Sequence, residues 1–295
     1  MASVASIERV WGREVLDSRG NPTVEVEIWT RGGARGRAIV PSGASTGRHE
    51  ALELRDGDAR RYDGRGVRRA VINVNQILGP AVVGLDAADQ RSVDERLLEL
   101  DPTPNKAMLG ANAVLGVSLA AAHAAAAATG EPLYRHLAGL YARESGRDAR
   151  PRMPVPMTNM ISGGLHAGGN IDIQDVLVVP LGAADYPVAL EWLVRIYRRL
   201  GEALQAAGYD GRLVGDEGGF GPRLPNNREA IAFVVRAIER AGLRPGEDVA
   251  IALDVAASHF ATEAGTYRLR SEGDRELTAD EMIDRLEAWV AAFPI

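Results

Sequence analysis

Cysteine is absent from the 295 residues. That excludes a disulfide framework, a thiolate metal centre and a cysteine nucleophile. An excess of positive charge is missing too: the net charge is −6 and the pI is near 5.5, which argues against a nucleic-acid surface. There is no long hydrophobic run. The longest bland apolar stretch, Leu119 to Ala128, is broken by His123 and is too short and alanine-rich to span a bilayer. Met1 to Ile7 carries neither a basic leader nor an apolar core of signal-peptide length. A cytoplasmic protein without a membrane span is therefore expected. What remains is an ordinary globular composition, 46% hydrophobic and 25% charged, with a mean hydropathy of −0.12. The length suits two domains or one large α/β domain.

Val214-Gly215-Asp216-Glu217-Gly218-Gly219-Phe220 sets two adjacent carboxylates among three glycines after a short apolar step. A strand ending in such a turn presents acid at its carboxyl end, where glycine lets a ligand come close. Adjacent acids on a strand point to opposite sides, so at most one faces a given pocket. That one can serve as a general acid or base, an effect worth roughly 10²–10⁴-fold. Taken alone, the stretch reads first as a solvated surface turn.

Upstream, Val24 to Ile28 alternates strictly, which predicts a half-buried strand with one acidic face. Gly32-Gly33 predicts a hairpin turn into a second strand, Arg35 to Val40. Seven small or turn-forming residues follow, Pro41 to Gly47. They suit a flexible loop, or a mobile lid whose hydroxyls and carbonyls bind a hard cation. Apolar residues from Val67 to Leu78 recur at helical spacing, and Val93 to Leu100 forms a second amphipathic pattern. Leu109 to Ala128 predicts a long helix packed closely on several sides, with His123 a core or boundary residue, ended by Gly130-Glu131-Pro132. Polar, proline-terminated Tyr141 to Pro151 marks the best boundary. The expected division is a first domain over 1–140, a linker over 141–153 and a second domain over 154–295.

In the second half, Val155 to Met160, Asp175 to Pro180 and Val249 to Asp254 predict strands, and continuous apolar character suggests burial on both faces. Helices are predicted at Tyr186 to Ala207 and Arg228 to Ala241. Thr278 to Glu281 has the pattern of a capping box, and Ala291 to Ile295 resembles the approach to another strand. This strand–loop–helix order predicts a barrel or an open parallel sheet. His166, Asp175, Glu217 and Asp254 all fall at strand ends, where barrel chemistry is built.

These stretches together resemble the enolases. The likeness is carried by D-S-R-G-N-P-T-V-E-V-E from Asp17, P-S-G-A-S-T-G from Pro41, E-A-L-E-L-R-D-G-D from Glu50 and G-A-N-A-V-L-G-V-S-L-A from Gly110. It continues through P-V-P-M from Pro154, H-A-G-G from His166, V-G-D-E-G-G-F from Val214 and A-L-D-V-A-A-S from Ala252. The resemblance implies an α+β N-terminal domain followed by an α/β barrel of the TIM type. It also implies Mg²⁺-dependent interconversion of 2-phosphoglycerate and phosphoenolpyruvate, with a small anionic phosphorylated substrate. Asp254 would bind the tighter Mg²⁺ and Ser45 a second one on loop closure. His166 would lie near the phosphate and leaving group, and Glu217 would assist departure of the C3 hydroxide. Asp175 would stand beside them in catalysis and substrate binding. A homodimer is implied, with Arg19 and Glu25 at the subunit contact.

Three positions depart from the enolase pattern. Gln174-Asp175 replaces Gln-Glu, Ser162 replaces asparagine, and His259 replaces glutamate. The shorter Asp175 withdraws its carboxylate by about 1.5 Å, and a shift of about 1 Å in a positioned site can cost on the order of 10²-fold. A paralogue acting on another phosphorylated or phosphonate three-carbon acid is thus a second expectation, and a non-catalytic interaction protein a third. A full barrel takes about 250 residues and about 145 follow Pro151, so the barrel is expected to be incomplete in this chain. The lysine base and remaining metal ligands that the resemblance implies have no counterpart here.

Overall fold

A computed structural model describes residues 3–43, 46–47, 49–148 and 150–295. The chain forms two units, Met1–Arg152 and Met153–Ile295.

The first unit is built on an antiparallel sheet of β1 (Ile7–Leu16), β2 (Pro22–Thr30) and β3 (Arg35–Ile39), with β2 in the centre. Val24, Val26 and Ile28 alternate onto one face and are fully buried. The helices that cover this unit's core begin with α1 (Arg68–Asn73), a π-helical turn (Val74–Leu78) and α2 (Gly79–Val82). They continue with α3 (Gln90–Leu100), α4 (Ala111–Thr129) and α5 (Leu133–Ser145). Helix α4 is long and apolar enough to cross a membrane, yet it serves as the core helix of this unit. A Cβ on Gly36 of β3 would come within 2.2 Å of the Ala120 carbonyl oxygen, and one on Gly116 within 2.7 Å of Val26. Glycine and alanine therefore let helix and sheet touch backbone to backbone, and α4 ends at Gly130 in the left-handed conformation. Helix α5 runs into the segment read as a linker, as far as Ser145.

The acidic face of β2 is not half-buried, as the alternation predicts. Glu25 and Glu27 are both buried, because arginines on the flanking strands close over them. Glu25 pairs with Arg13 and Arg37, and Glu27 with Arg13 at 2.9 Å and with Arg35. Burial alone would raise the pKa of Glu27, but the hydrogen bonds and charges of Arg35 and Arg13 more than offset it and hold it below the ordinary value. Arg19 turns to the Ser42 carbonyl, 2.6 Å away.

In the second unit, β4 (Thr158–Ser162), β5 (Asp175–Val179) and β6 (Ala250–Asp254) form a sheet in that order, and both pairings are antiparallel. Of the two expectations, a barrel or an open parallel sheet, the second is corrected here: β5 runs against both neighbours. On the far side of β4 the chain at Phe220 bridges in parallel to Ile161. Val176, Val178 and Ile251 point to the face covered by α6 (Tyr186–Ala206) and α7 (Asn227–Arg240), and all enter one core with Ile196, Leu200 and Val234. A short hairpin, β7 (Tyr267–Leu269) and β8 (Arg275–Leu277), precedes α8 (Ala279–Ala292), whose capping box between Thr278 and Glu281 is formed as predicted. Just beyond α8, the Pro294 carbonyl accepts from the Ile251 amide at 2.8 Å, bringing these residues alongside β6.

Candidate active site

The reversal of β5 decides what gathers at one end of the sheet. Asp175 opens β5, so it stands at the same end as the last residues of β4 and β6, opposite Ser162 and Asp254 in register. In a wholly parallel sheet the first residue of β5 would lie at the other end.

A bulge in β4 adds a second polar group. The register shifts between Asn159 and Ile161, leaving Met160 as the extra residue. In a regular strand, residues three apart point to opposite faces. With the bulge, Asn159 and Ser162 share a face, and the Asn159 amide donates to Ser162 Oγ at 3.0 Å and to Asp175 Oδ1. Both Asn159 and Ser162 are buried. Asp175 and Asp254 face each other directly across the strands, an unfavourable like-charge pairing. Each carboxylate is met by an amide, Asp175 by Asn159 and Asp254 by Gln174 Nε2 at 2.9 Å.

His166 arrives on the single 3-10 turn Gly164–Ala167, which follows β4. The turn is possible because Gly164, Gly168 and Gly169 take positive φ. The imidazole is buried. Its Nδ1 lies 3.3 Å from Asp175 Oδ2 and 3.7 Å from Glu217 Oε1, and has no hydrogen-bond partner among the described residues.

Glu217 belongs to a turn rather than a strand, so the expectation of acids alternating along a strand does not hold. Val214 and Phe220 bridge each other, and the Gly215 amide donates to the Gly219 carbonyl at 2.8 Å, which closes the turn. The turn sits on the histidine segment: the Asp216 amide donates to the His166 carbonyl at 3.1 Å. A Cβ on Gly215 would come within 2.7 Å of that same oxygen. From α6, Tyr197 donates to the Gly218 carbonyl at 2.8 Å and stacks on Phe220 at 4.3 Å between centroids. The Glu217 side chain, half exposed, points over His166.

His166, Asp175 and Glu217 thus offer ligand or proton-transfer atoms that all lie within 4.8 Å of one another. Burial raises the pKa of Asp175, and the charge of Glu217 adds to the effect; the proximity of His166 and the Asn159 hydrogen bond oppose it. A buried acid that resists ionisation beside a second, solvated acid is an arrangement suited to holding and moving a proton.

Asp254 is exposed at the end of β6. Its oxygens accept from Gln174 Nε2 and from the Ala256 amide at 3.1 Å. The buried Gln174 Oε1 has no partner among the described residues. A carboxylate steadied by an amide, next to an unpartnered amide oxygen, matches the hard oxygen donors that Mg²⁺ prefers. Ser45, the other expected metal ligand, lies outside the described residues. His259, one of the departures from the enolase pattern, is exposed on the turn Ala257–His259. Reasoning from the sequence did not identify Asn159 or Gln174 as site residues. The bulge that turns Asn159 inward leaves no compositional mark, whereas Gln174 adjoins a named acid.

Two family descriptions match the chain: "Enolase, N-terminal domain" over residues 7–137 and "Enolase, C-terminal TIM barrel domain" over residues 150–295. The first lies within the sheet-and-helix unit, and the second covers the strands and turns that carry His166, Asp175, Glu217 and Asp254. The chain belongs to the enolase family.

Proposed function

We propose that this chain is an enolase-type hydro-lyase acting on 2-phosphoglycerate and phosphoenolpyruvate, with Mg²⁺ as its cofactor. The family is one of lyases. The observation that carries the reading is the convergence of His166, Asp175 and Glu217 beside the Asp254 strand end, at positions that match the family's motifs. The reaction breaks the C2–H and C3–O bonds, forms the C2=C3 double bond and releases water. Mg²⁺ held by Asp254 and Ser45 would stabilise negative charge on the substrate's oxygens. Glu217, half exposed at the tip of its turn, gives a proton to the departing hydroxide. Asp175 holds His166 in place and keeps a second proton near the leaving group. Removal of the C2 proton needs a base, and the only lysine in the sequence is Lys106. Its Nζ is already donated to the carbonyls of Asp101 and Thr103. We therefore expect the 295 residues to bind substrate but turn it over poorly. A cytoplasmic homodimer goes with this reading.

Calorimetry with 2-phosphoglycerate and Mg²⁺ tests the proposal. Binding that requires the metal, and falls at least about tenfold in both His166→Ala and Asp254→Asn, is the expected result. Mg²⁺ alone should bind weakly, since one carboxylate rarely holds it without phosphate. Failure to bind 2-phosphoglycerate at millimolar concentration would overturn the reading. Rapid phosphoenolpyruvate formation would mean that a base exists among residues given no such role here.

Asp175 itself favours a second reading. The shorter acid, drawn back against Asn159 and His166, leaves room for a different group, as in a paralogue that takes a phosphonate three-carbon acid. Tighter binding of a phosphonate analogue than of 2-phosphoglycerate, reversed by Asp175→Glu, would select this alternative.

A further inference from the structure

Asn227 is the first residue of α7, fully buried, in a stretch that no motif singles out. Its side-chain oxygen accepts from two successive backbone amides, Asp172 at 2.9 Å and Ile173 at 3.1 Å. Its nitrogen donates to Asp172 Oδ2 at 2.9 Å and to Glu272 Oε1 at 3.0 Å. Every donor and acceptor of this amide is therefore used. Asp172 is equally committed, since its carboxylate also accepts from the Arg270 amide at 2.7 Å and from the amide and hydroxyl of Ser271. Glu272 is in turn paired with Arg285 of α8. One side chain thus ties together α7, the turn after β7 and the segment that leads into β5.

The position of that tie gives it a role. Ile173 is followed at once by Gln174, which steadies Asp254, and by Asp175, which faces His166. Two amides pinned immediately upstream fix where β5 begins, and with it the depth to which both side chains enter the site. Such a fully satisfied buried network rigidifies its surroundings, and a site on a rigid support holds its geometry better than one on a free loop.

We infer that Asn227 is a positioning residue for the candidate active site, setting the placement of Gln174 and Asp175 through its clasp on Asp172 and Ile173. The inference rests on the proposed reading of Asp175 and His166 as site residues.

The test compares Asn227→Ala with Asn226→Ala by NMR and amide exchange on the whole chain. Asn226 caps α7 by accepting from the Glu229 amide at 2.8 Å, and its side chain makes no hydrogen bond to residues 172–175. Its replacement therefore loosens the same helix end without opening the clasp. In Asn227→Ala, exchange at the Asp172 and Ile173 amides should rise about tenfold or more, the cost of losing a buried partner. The His166 ring resonances should move as well. In Asn226→Ala the His166 resonances should stay in place. Asp172→Ala should move them as Asn227→Ala does, and the double variant should move them no further. Unmoved His166 resonances in Asn227→Ala, or equal movement in Asn226→Ala, would overturn the inference. Should Asn227→Ala unfold the second unit, Asn227→Asp keeps the acceptor for both backbone amides while losing the donor to Asp172; unmoved His166 resonances there, with exchange at Asp172 increased, would equally overturn it. Addition of 2-phosphoglycerate and Mg²⁺ separates the two claims: if the variants move His166 but the ligand does not, the clasp stands and the proposed substrate falls.

Discussion

Gly219→Ala is the sharpest probe of how the acid turn is seated. A Cβ at this position would lie 2.7 Å from Asn159 Oδ1 and 2.8 Å from Ser162 Oγ, where ordinary contact begins at 3.4 Å. The neighbours must therefore give about 0.7 Å and 0.6 Å, the differences between those figures. Neither has room to do so, because both are buried and bonded to each other, and the same Asn159 amide holds Asp175. Overpacking of this kind costs about 1–3 kcal/mol, which for a unit of this size is roughly 2–10 °C in melting temperature. The backbone of Gly219 is not left-handed, so the loss comes from crowding alone. Gly218→Ala is the matched control. It takes positive φ with nothing within 4 Å of its Cβ, so it should lose only about 1 kcal/mol of backbone strain. Urea denaturation gives the energies, and the side-chain amide resonances of Asn159 report whether the crowded group has moved. Unchanged stability and unmoved Asn159 resonances in Gly219→Ala would mean that the turn does not rest on Asn159, and the placement of Glu217 over His166 would fall with it.

Three further outcomes follow from the described contacts. The raised pKa of Asp175 means that its contribution to stability is present below the ordinary carboxylate range and is lost as pH rises through the folded value; Asp175→Asn should raise the unfolding free energy at pH 7 and flatten this fall in a pH series of urea melts. Glu27 has the opposite sign: its pKa is lowered, so its contribution is present above the unfolded value and is lost as pH falls through the folded one. Glu27→Gln should therefore cost about 1–2 kcal/mol at pH 7, a buried-pair loss discounted because Arg13 and Arg35 are partly exposed, with the gap narrowing in acid. Thr278→Ala removes the side-chain half of the α8 capping box and leaves the backbone amide of residue 278 to donate to Glu281; it should cost about 1 kcal/mol, recovered in large part by Thr278→Ser.

Much of this arrangement was legible in the residues, and what was not has a physical reason. Helices α4, α6 and α7 lie within about two residues of their predicted spans, because a periodic apolar stripe is a property of the segment itself. The direction of β5 is not such a property. Val176, Leu177 and Val178 are apolar whichever way the strand runs, so the sheet was expected to be parallel and Asp175 gave no sign of meeting Ser162 and Asp254. Alternation placed Glu25 and Glu27 on a solvent-facing side, whereas the arginines that bury them come from other strands. Hairpin β7–β8 was unforeseen because three-residue strands carry too short a pattern to read. The clasp at Asn227 joins residues more than fifty positions apart, and no local signal announces such a pair. Motif and position in the sequence single out His166, Asp175, Glu217 and Asp254. The structure brings the first three into contact and sets Asp254 opposite Asp175 in register.

The bulge at Met160 makes the site depend on the register of one strand as well as on which residues it carries. Were the bulge to close with all five residues of the strand kept, Asn159 would face the helix-covered side while Ser162 kept its place opposite Asp175. The amide that meets Asp175 would vanish without any change in the residues that bear charge. Register is strongly set wherever one face of a strand is buried; here, a slip of one position inside a five-residue strand separates a buried acid with a partner from one without.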